Sequence, residues 1–190
     1  MTNRKETNGS VFRARSLVYI ALAVALLAVC AWIALPAGEV AFTLQTLGVI
    51  LVSILLTPAE TIIALALYLA LGLVGAPVFS RGAGGVAVLL GPSGGFLLGL
   101  LGMGATISLS GKLYQYKPLP LALGTILGSL LNYLCGTLWF CFVYSMQSTA
   151  FPLALAHTVL PFLLPDAAKG ALGVFLGVKL RGRVATHREL

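Results

Sequence analysis

Charge is what this sequence has least of. Only 9% of its 190 residues are Asp, Glu, Lys or Arg, against about 25% in an average soluble domain. Hydrophobic residues make up 59%, and the mean hydropathy is +1.02. Too few polar side chains exist to cover a water-soluble globule of this size. Histidines number two, His157 in a connection and His187 in the tail. No metal-ligating His cluster and no Ser–His pair therefore lies within an apolar segment, which argues against an intramembrane enzyme. No catalytic residue, metal ligand or cofactor is expected. Cysteines are three, Cys30, Cys135 and Cys141, with no C-x-x-C spacing. An odd set so spaced indicates neither a disulfide framework nor a zinc site, and each reads as a small buried hydrophobe. A nucleotide-binding motif is absent as well. The net charge of +7 is not a nucleic-acid footprint, because no basic stripe with interleaved aromatics accompanies it.

What is present is a series of apolar runs: Leu17–Leu35, Val40–Thr57, Thr61–Val78, Val86–Gly111, Leu119–Tyr144 and Pro161–Leu180. Each approaches the roughly 20 residues that cross a bilayer as a helix. The expectation is an all-α, multi-pass membrane protein, a bundle of six transmembrane helices. It forms one integral membrane domain over 1–190, with tails at 1–15 and 183–190 and the bundle over about 16–182. Basic residues cluster in the N-terminal tail (Arg4, Lys5, Arg13, Arg15), the fourth connection (Lys112, Lys117) and the C-terminal tail (Lys179, Arg181, Arg183, Arg188). With six crossings these all share one side, opposite Arg81, so the positive-inside rule puts both termini in the cytoplasm. A cleaved signal peptide is the alternative for the first run, which exceeds the usual 7–15-residue signal core. Pro118 to Ala156 carries no charge; its helix is expected to end near Ser145, before an external loop. Counts of five or seven spans are the alternatives.

Against this background Asp166 and Lys169 stand out, two opposite charges inside the last apolar run. An ionised group at the centre of a membrane helix costs about 2.5–3.5 kcal/mol on insertion scales, so it persists where it is paired, faces the bundle interior or meets a ligand. At i, i+3 the two side chains share a helix face. The bland alternative is a helix start pinned by its own ion pair. Pro at a first helical position is favoured, so the helix is expected to begin near Pro165. Asp166 then falls in its first turn, at the positive end of the dipole, near the outer face.

Other segments offer less specific signals. Glycines crowd the stretch Gly72–Phe96, including Gly82, Gly84, Gly85 and Gly91-Pro92-Ser93-Gly94-Gly95. Such a loop is able to fold over a cavity and present backbone N–H groups to an anion, or it is merely a structural connection. Thr43, Gln45 and Thr46 put hydrogen-bonding side chains among apolar ones; Thr43 is a helix cap and Gln45 bridges helices or reads a ligand. Tyr133, Gly136 and Trp139 recur at i, i+3, i+6, a core stripe or an aromatic wall for a flat ligand. Ala21 and Ala25 form a small-xxx-small pair for close helix contact, within the chain or with a partner.

These pieces, in this order, resemble the BioY family of biotin-specific substrate-binding (S) components of energy-coupling-factor (ECF) transporters. The resemblance runs from about Leu17 to Arg181. It rests on Phe42-Thr-Leu-Gln-Thr-Leu-Gly48, Gly75-Ala-Pro-Val-Phe79, Gly84-Gly85, Gly91-Pro-Ser-Gly-Gly95, Tyr133-x-x-Gly136-x-x-Trp139, Pro161-Phe162 and Asp166-x-x-Lys169. Ser93, Phe96 and Pro165 stand where the family often has Thr, Tyr and Gly.

The resemblance implies six helices, a biotin pocket near the outer face, no enzymatic activity and ligand contacts from Asp166 and Lys169. Asp166 would accept from ureido N–H, and Lys169 would donate to the carbonyl or the acid tail. Phe79, Tyr133 and Trp139 would line the apolar part, with Gln45, Gly84 and Gly85 close by and Arg81 on the tail. It also implies partners in the bilayer of the bacterial cytoplasmic membrane: a transmembrane coupling subunit, docking on the Ala21/Ala25 face, and two ATP-binding subunits. Self-association without that module is the alternative. Rival functions are an S component for another small vitamin and a non-transport structural or channel subunit.

Overall fold

The computed structural model describes residues 3–35, 42–144 and 159–189. Apart from a two-residue antiparallel pair, Ala34–Leu35 with Phe42–Thr43, the regular structure among these residues is helical. Among the described residues seven α-helices follow in order: α1 (Asn3–Trp32), α2 (Gln45–Leu55), α3 (Pro58–Leu73), α4 (Val86–Leu90), α5 (Gly94–Leu113), α6 (Pro118–Tyr144) and α7 (Leu160–Glu189). Among the described residues, four segments are long and apolar enough to cross a membrane: Ala14–Trp32, Gly94–Leu113, Pro118–Val143 and Leu160–Arg183.

The expected spans need correction at several points. The second, Val40–Thr57, shrinks to α2, with 11 residues or about 17 Å at 1.5 Å per residue. The chain enters it as a strand, and Pro58 ends it by disfavouring a helical conformation at the residue before it; Thr57 is extended, with φ −72° and ψ 158°. Thr57 instead caps α3, its hydroxyl accepting from the Glu60 N–H while the Glu60 carboxylate accepts from the Thr57 N–H. This reciprocal box satisfies two donors that would otherwise be orphaned. The expected fourth span, Val86–Gly111, is broken at Gly91-Pro92-Ser93 into short α4 and long α5. The last helix starts at Leu160, and Pro165 lies inside it. Asp166 is thus not in the first turn, and Pro165 costs the helix one backbone bond. The loop expected after Ser145 lies outside the described residues. Of the three free cysteines only Cys30 is buried; Cys135 is exposed and Cys141 half-buried.

The helices close into a ring in which α1 packs on α3, α3 on α5, α5 on α6, α6 on α7, α7 on α2 and α2 on α1. Small residues set the closest approaches. Along α5–α6, a Cβ at Gly95 would fall 2.1 Å from the Trp139 Cβ, and one at Gly136 2.2 Å from the Phe96 ring. Such surfaces let helices touch where lipid offers no hydrophobic drive. Bulky core residues, Leu27, Val49, Ile50, Ile54, Leu65, Met103 and Ile107, fill the centre of the bundle. Arg181 of α7 fastens the end opposite the glycine loop, donating to the Ile54 carbonyl at the end of α2 and lying 3.1 Å from the Tyr116 ring centroid.

Candidate functional site

At the glycine-loop end of the bundle, α2, α5, α6 and α7 enclose a cavity of about 180 Å³, and Asp166 and Lys169 both line it. Lys169, 7% exposed, forms an ion pair with Asp166 and donates to the Thr43 carbonyl at 2.8 Å. Its ammonium also lies 4.2 Å from the centre of the Phe42 ring, which stacks on Phe162. The short Phe42–Thr43 strand is therefore what brings a backbone carbonyl and an aromatic face to this cation. Asp166 accepts from the Tyr133 hydroxyl at 2.5 Å and, more weakly, from Thr46 Oγ1 at 3.3 Å. Three elements thus converge on one carboxylate. Such a fully hydrogen-bonded pair is how buried charge is tolerated.

The opposite wall is apolar, with Phe79, Val88, Phe96, Leu97 and Leu100. Phe79 is 1% exposed and crosses Tyr68 edge-on at 5.5 Å. It lies over Gly72, where a Cβ would fall 2.0 Å from its ring. Gln45 donates to the Tyr68 hydroxyl at 2.7 Å, and that hydroxyl donates to the Val78 carbonyl at 3.0 Å. This relay ties α2 and α3 to the loop that holds Phe79. The loop turns on left-handed residues, Arg81 at φ 60° and Gly85 at φ 96°. Two polar atoms of lining residues, Ser80 Oγ and Asn132 Oδ1, are buried without a hydrogen-bond partner.

A concave, mostly apolar site with a few convergent polar groups is the ordinary form of a small-molecule pocket. Comparison with known proteins gives it a context. A model of the BioY family matches residues 2–186. The chain belongs to the BioY family. Among its members, the biotin transporter BioY2 of Lactococcus lactis subsp. cremoris is 43% identical over 165 residues, covering 87% of this chain and 89% of that protein. A probable biotin transporter BioY of Pyrococcus horikoshii is 33% identical over 170 residues, covering 90% and 98%. Among solved structures, the S-component for biotin from an ECF-type ABC transporter superposes with a TM-score of 0.81 at 27% identity, covering 96% of this chain and 95% of that one. This BioY-family chain is accordingly a helical, multi-pass membrane protein with the fold of a transporter S component.

The residues singled out from sequence divide in two within this BioY fold. Asp166, Lys169, Tyr133, Gln45 and Phe79 all line the cavity. Arg81, Gly84, Gly85 and Trp139 do not. Arg81 is exposed in a 3-10 turn. Gly84 passes close to the Ala76 carbonyl, where a Cβ would sit at 2.3 Å. Gly85 takes positive φ and donates its N–H to the Gly72 carbonyl at 2.7 Å. These two glycines shape the loop around its own backbone contacts. Trp139 donates to the Gly91 carbonyl at 3.0 Å, pinning the α4–α5 break. Sequence reasoning missed Asn132, Ser80, Phe42 and Phe162 as cavity residues. Asn132, a polar residue inside an uncharged apolar run, was the visible signal among them.

A second, larger space of about 770 Å³ lies between α6 and α7, lined mainly by Leu119, Ile126, Leu130, Leu163, Val174 and Phe175. Tyr133 and Asp166 border both spaces. Its apolar lining suits lipid chains, whereas the smaller cavity is the one of the two that contains the lysine.

Proposed function

We propose that this protein binds biotin in the Asp166–Lys169 cavity and serves as the substrate-binding membrane subunit of an ECF-type transporter for its uptake. The observation that carries the reading is the Asp166–Lys169 pair lining a cavity, with Tyr133, Thr46 and the Thr43 carbonyl converging on it. Biotin is neutral at its bicyclic end and anionic at its tail. Its ureido group has two N–H donors and one carbonyl acceptor. Asp166, an acceptor when ionised, suits one N–H group, and Lys169, a donor, suits the carbonyl or the carboxylate. Phe79, Phe96 and Leu97 form an apolar wall for the sulfur ring. Biotin is favoured over other vitamins because the similar proteins are named as biotin transporters and the similar solved structure is an S-component for biotin.

The remainder of the reading concerns the membrane. We infer six crossings of a bacterial cytoplasmic membrane, made by α1, α2, α3, α5, α6 and α7, with both termini cytoplasmic on the positive-inside rule. The cavity then opens toward the outside. The chain has no nucleotide-binding motif, so concentrative uptake calls on a coupling subunit and two ATP-binding subunits. Ala21 and Ala25 are exposed on α1 beside Leu17, Val18, Leu22 and Val29, a smooth strip suited to a partner helix.

The test is biotin added to the detergent-purified protein. Binding to the folded state alone stabilises it by about 2.7 kcal/mol at a hundred times Kd, so the melting temperature should rise with biotin concentration. A melting temperature indifferent to saturating biotin rejects the proposal.

A further inference from the structure

The α5–α6 wall of the cavity carries a polar group that the Asp166 network does not use. Asn132, next to Tyr133 on α6, is 3% exposed and lines the cavity, and its Oδ1 has no hydrogen-bond partner. The carboxamide is seated at Gly99 of α5, where a Cβ would come within 2.4 Å of Oδ1. The wall is thus cut back to a bare glycine at the place where the amide projects. Holding the two helices together does not call for an amide here. Elsewhere the same interface closes without an amide, Gly128 on the Met103 backbone and Gly136 on the Phe96 ring. A leucine of similar branched shape would leave no polar atom to satisfy, and an unpaired amide in a bilayer interior is costly. Tyr133 meanwhile turns to Asp166 on α7, so adjacent residues of α6 serve two different walls.

We propose that the Asn132 carboxamide contacts the bound molecule and fixes its bicyclic end, taking up the part of the cyclic urea that Asp166 and Lys169 leave unpaired. This rests on the biotin reading. A carboxamide offers an acceptor and a donor side by side, the complement of the adjacent C=O and N–H of a cyclic urea. Asp166 accepts and Lys169 donates, and neither does both. A ligand without that mixed edge would leave the buried amide unpaired, which makes Asn132 a specificity-determining residue.

The experiment compares the wild-type protein with Asn132→Leu and Asn132→Ala, each purified in detergent. Biotin affinity is measured by calorimetry and the melting temperature without ligand by a thermal ramp. The alanine variant carries the test where the leucine variant does not fold. Loss of one such hydrogen bond with its partner left unpaired weakens binding by about tenfold. The expected result is that loss, with an unchanged or raised melting temperature in the ligand-free leucine variant. Wild-type affinity in the variants overturns the proposal. Weaker binding accompanied by a clearly lowered ligand-free melting temperature in both variants also overturns it, because the amide would then be a helix–helix tie. Failure of the wild-type protein itself to bind biotin rejects the underlying function, and is thereby told apart from failure at Asn132.

Discussion

Asp166 and Lys169 gain their meaning from what surrounds each of them. Lys169 has three neighbours, the Asp166 carboxylate, the Thr43 carbonyl and the Phe42 ring, and Asp166 has Lys169, Tyr133 and Thr46. Replacing Asp166 by Asn keeps the volume but leaves the ammonium without its counter-charge. Replacing Lys169 by Ala leaves a carboxylate in a low-dielectric cavity. Breaking a buried pair costs about 3–5 kcal/mol when one partner is left alone, and a loss of about 1.4 kcal/mol in the complex already means tenfold. Biotin binding to Asp166→Asn or Lys169→Ala should therefore fall at least about tenfold, read by calorimetry on purified protein. Unchanged affinity in either variant would show that the pair is structural. The Asp-x-x-Lys spacing was legible from the chain, because two charges in an apolar run are rare. The aromatic and carbonyl partners on Phe42–Thr43 were not, since they lie more than a hundred residues away.

Elements meet in this protein through glycines, and the closeness of each meeting predicts what a methyl group would do. At Gly95 of α5 a Cβ would collide with the Trp139 Cβ at 2.1 Å and with the Cys135 carbonyl at 2.7 Å. Both are backbone or near-backbone atoms, so α5 and α6 must part. Gly95→Ala should lower the melting temperature, with a loss of about 1–3 kcal/mol as in other overpacked cores. At Gly170 of α7 a Cβ would meet only the Thr125 Cγ2 at 3.6 Å, an ordinary contact. Gly170→Ala should be neutral or stabilising, by up to about 1 kcal/mol from helix propensity. Equal melting temperatures for these two variants would contradict this packing. That glycines would line helix contacts was readable from composition; which glycine faces which helix was not. Hydropathy likewise failed to show the break at Gly91–Ser93, because the apolar run continues through it, whereas the start of α7 at Leu160 was missed by assigning Pro165 to the first helical position.

At the scale of the molecule the two faces of α1 separate two tasks. Ala23, Leu27 and Ala31 are buried against the bundle, whereas Ala21 and Ala25 look outward. Neither outward alanine lines the cavity, so a change there should leave ligand binding intact. Substituting Ala21 and Ala25 together by Leu is expected to abolish biotin uptake in cells that carry the energising subunits, while calorimetric affinity stays at the wild-type value. Retained uptake would move the docking face elsewhere; lost affinity would place these alanines in the binding reaction. Sequence spacing left open whether their partner was internal, and their exposure turns them away from the described elements of this bundle.

The amino-acid sequence alone determined that this is a helical membrane protein with a charged pair in its last apolar segment, because hydropathy and the cost of buried charge are properties of residues in order. Through motif resemblance it also named five of the cavity residues, Gln45, Phe79, Tyr133, Asp166 and Lys169. The tertiary structure decided which of those residues meet. It gave Gly84, Gly85 and Trp139 loop and helix contacts outside the cavity lining, left Arg81 at the surface, and placed Asn132 on that lining. The physical reason is that proximity here is made by close helix approaches and by one short strand, and neither leaves a periodic mark in the chain.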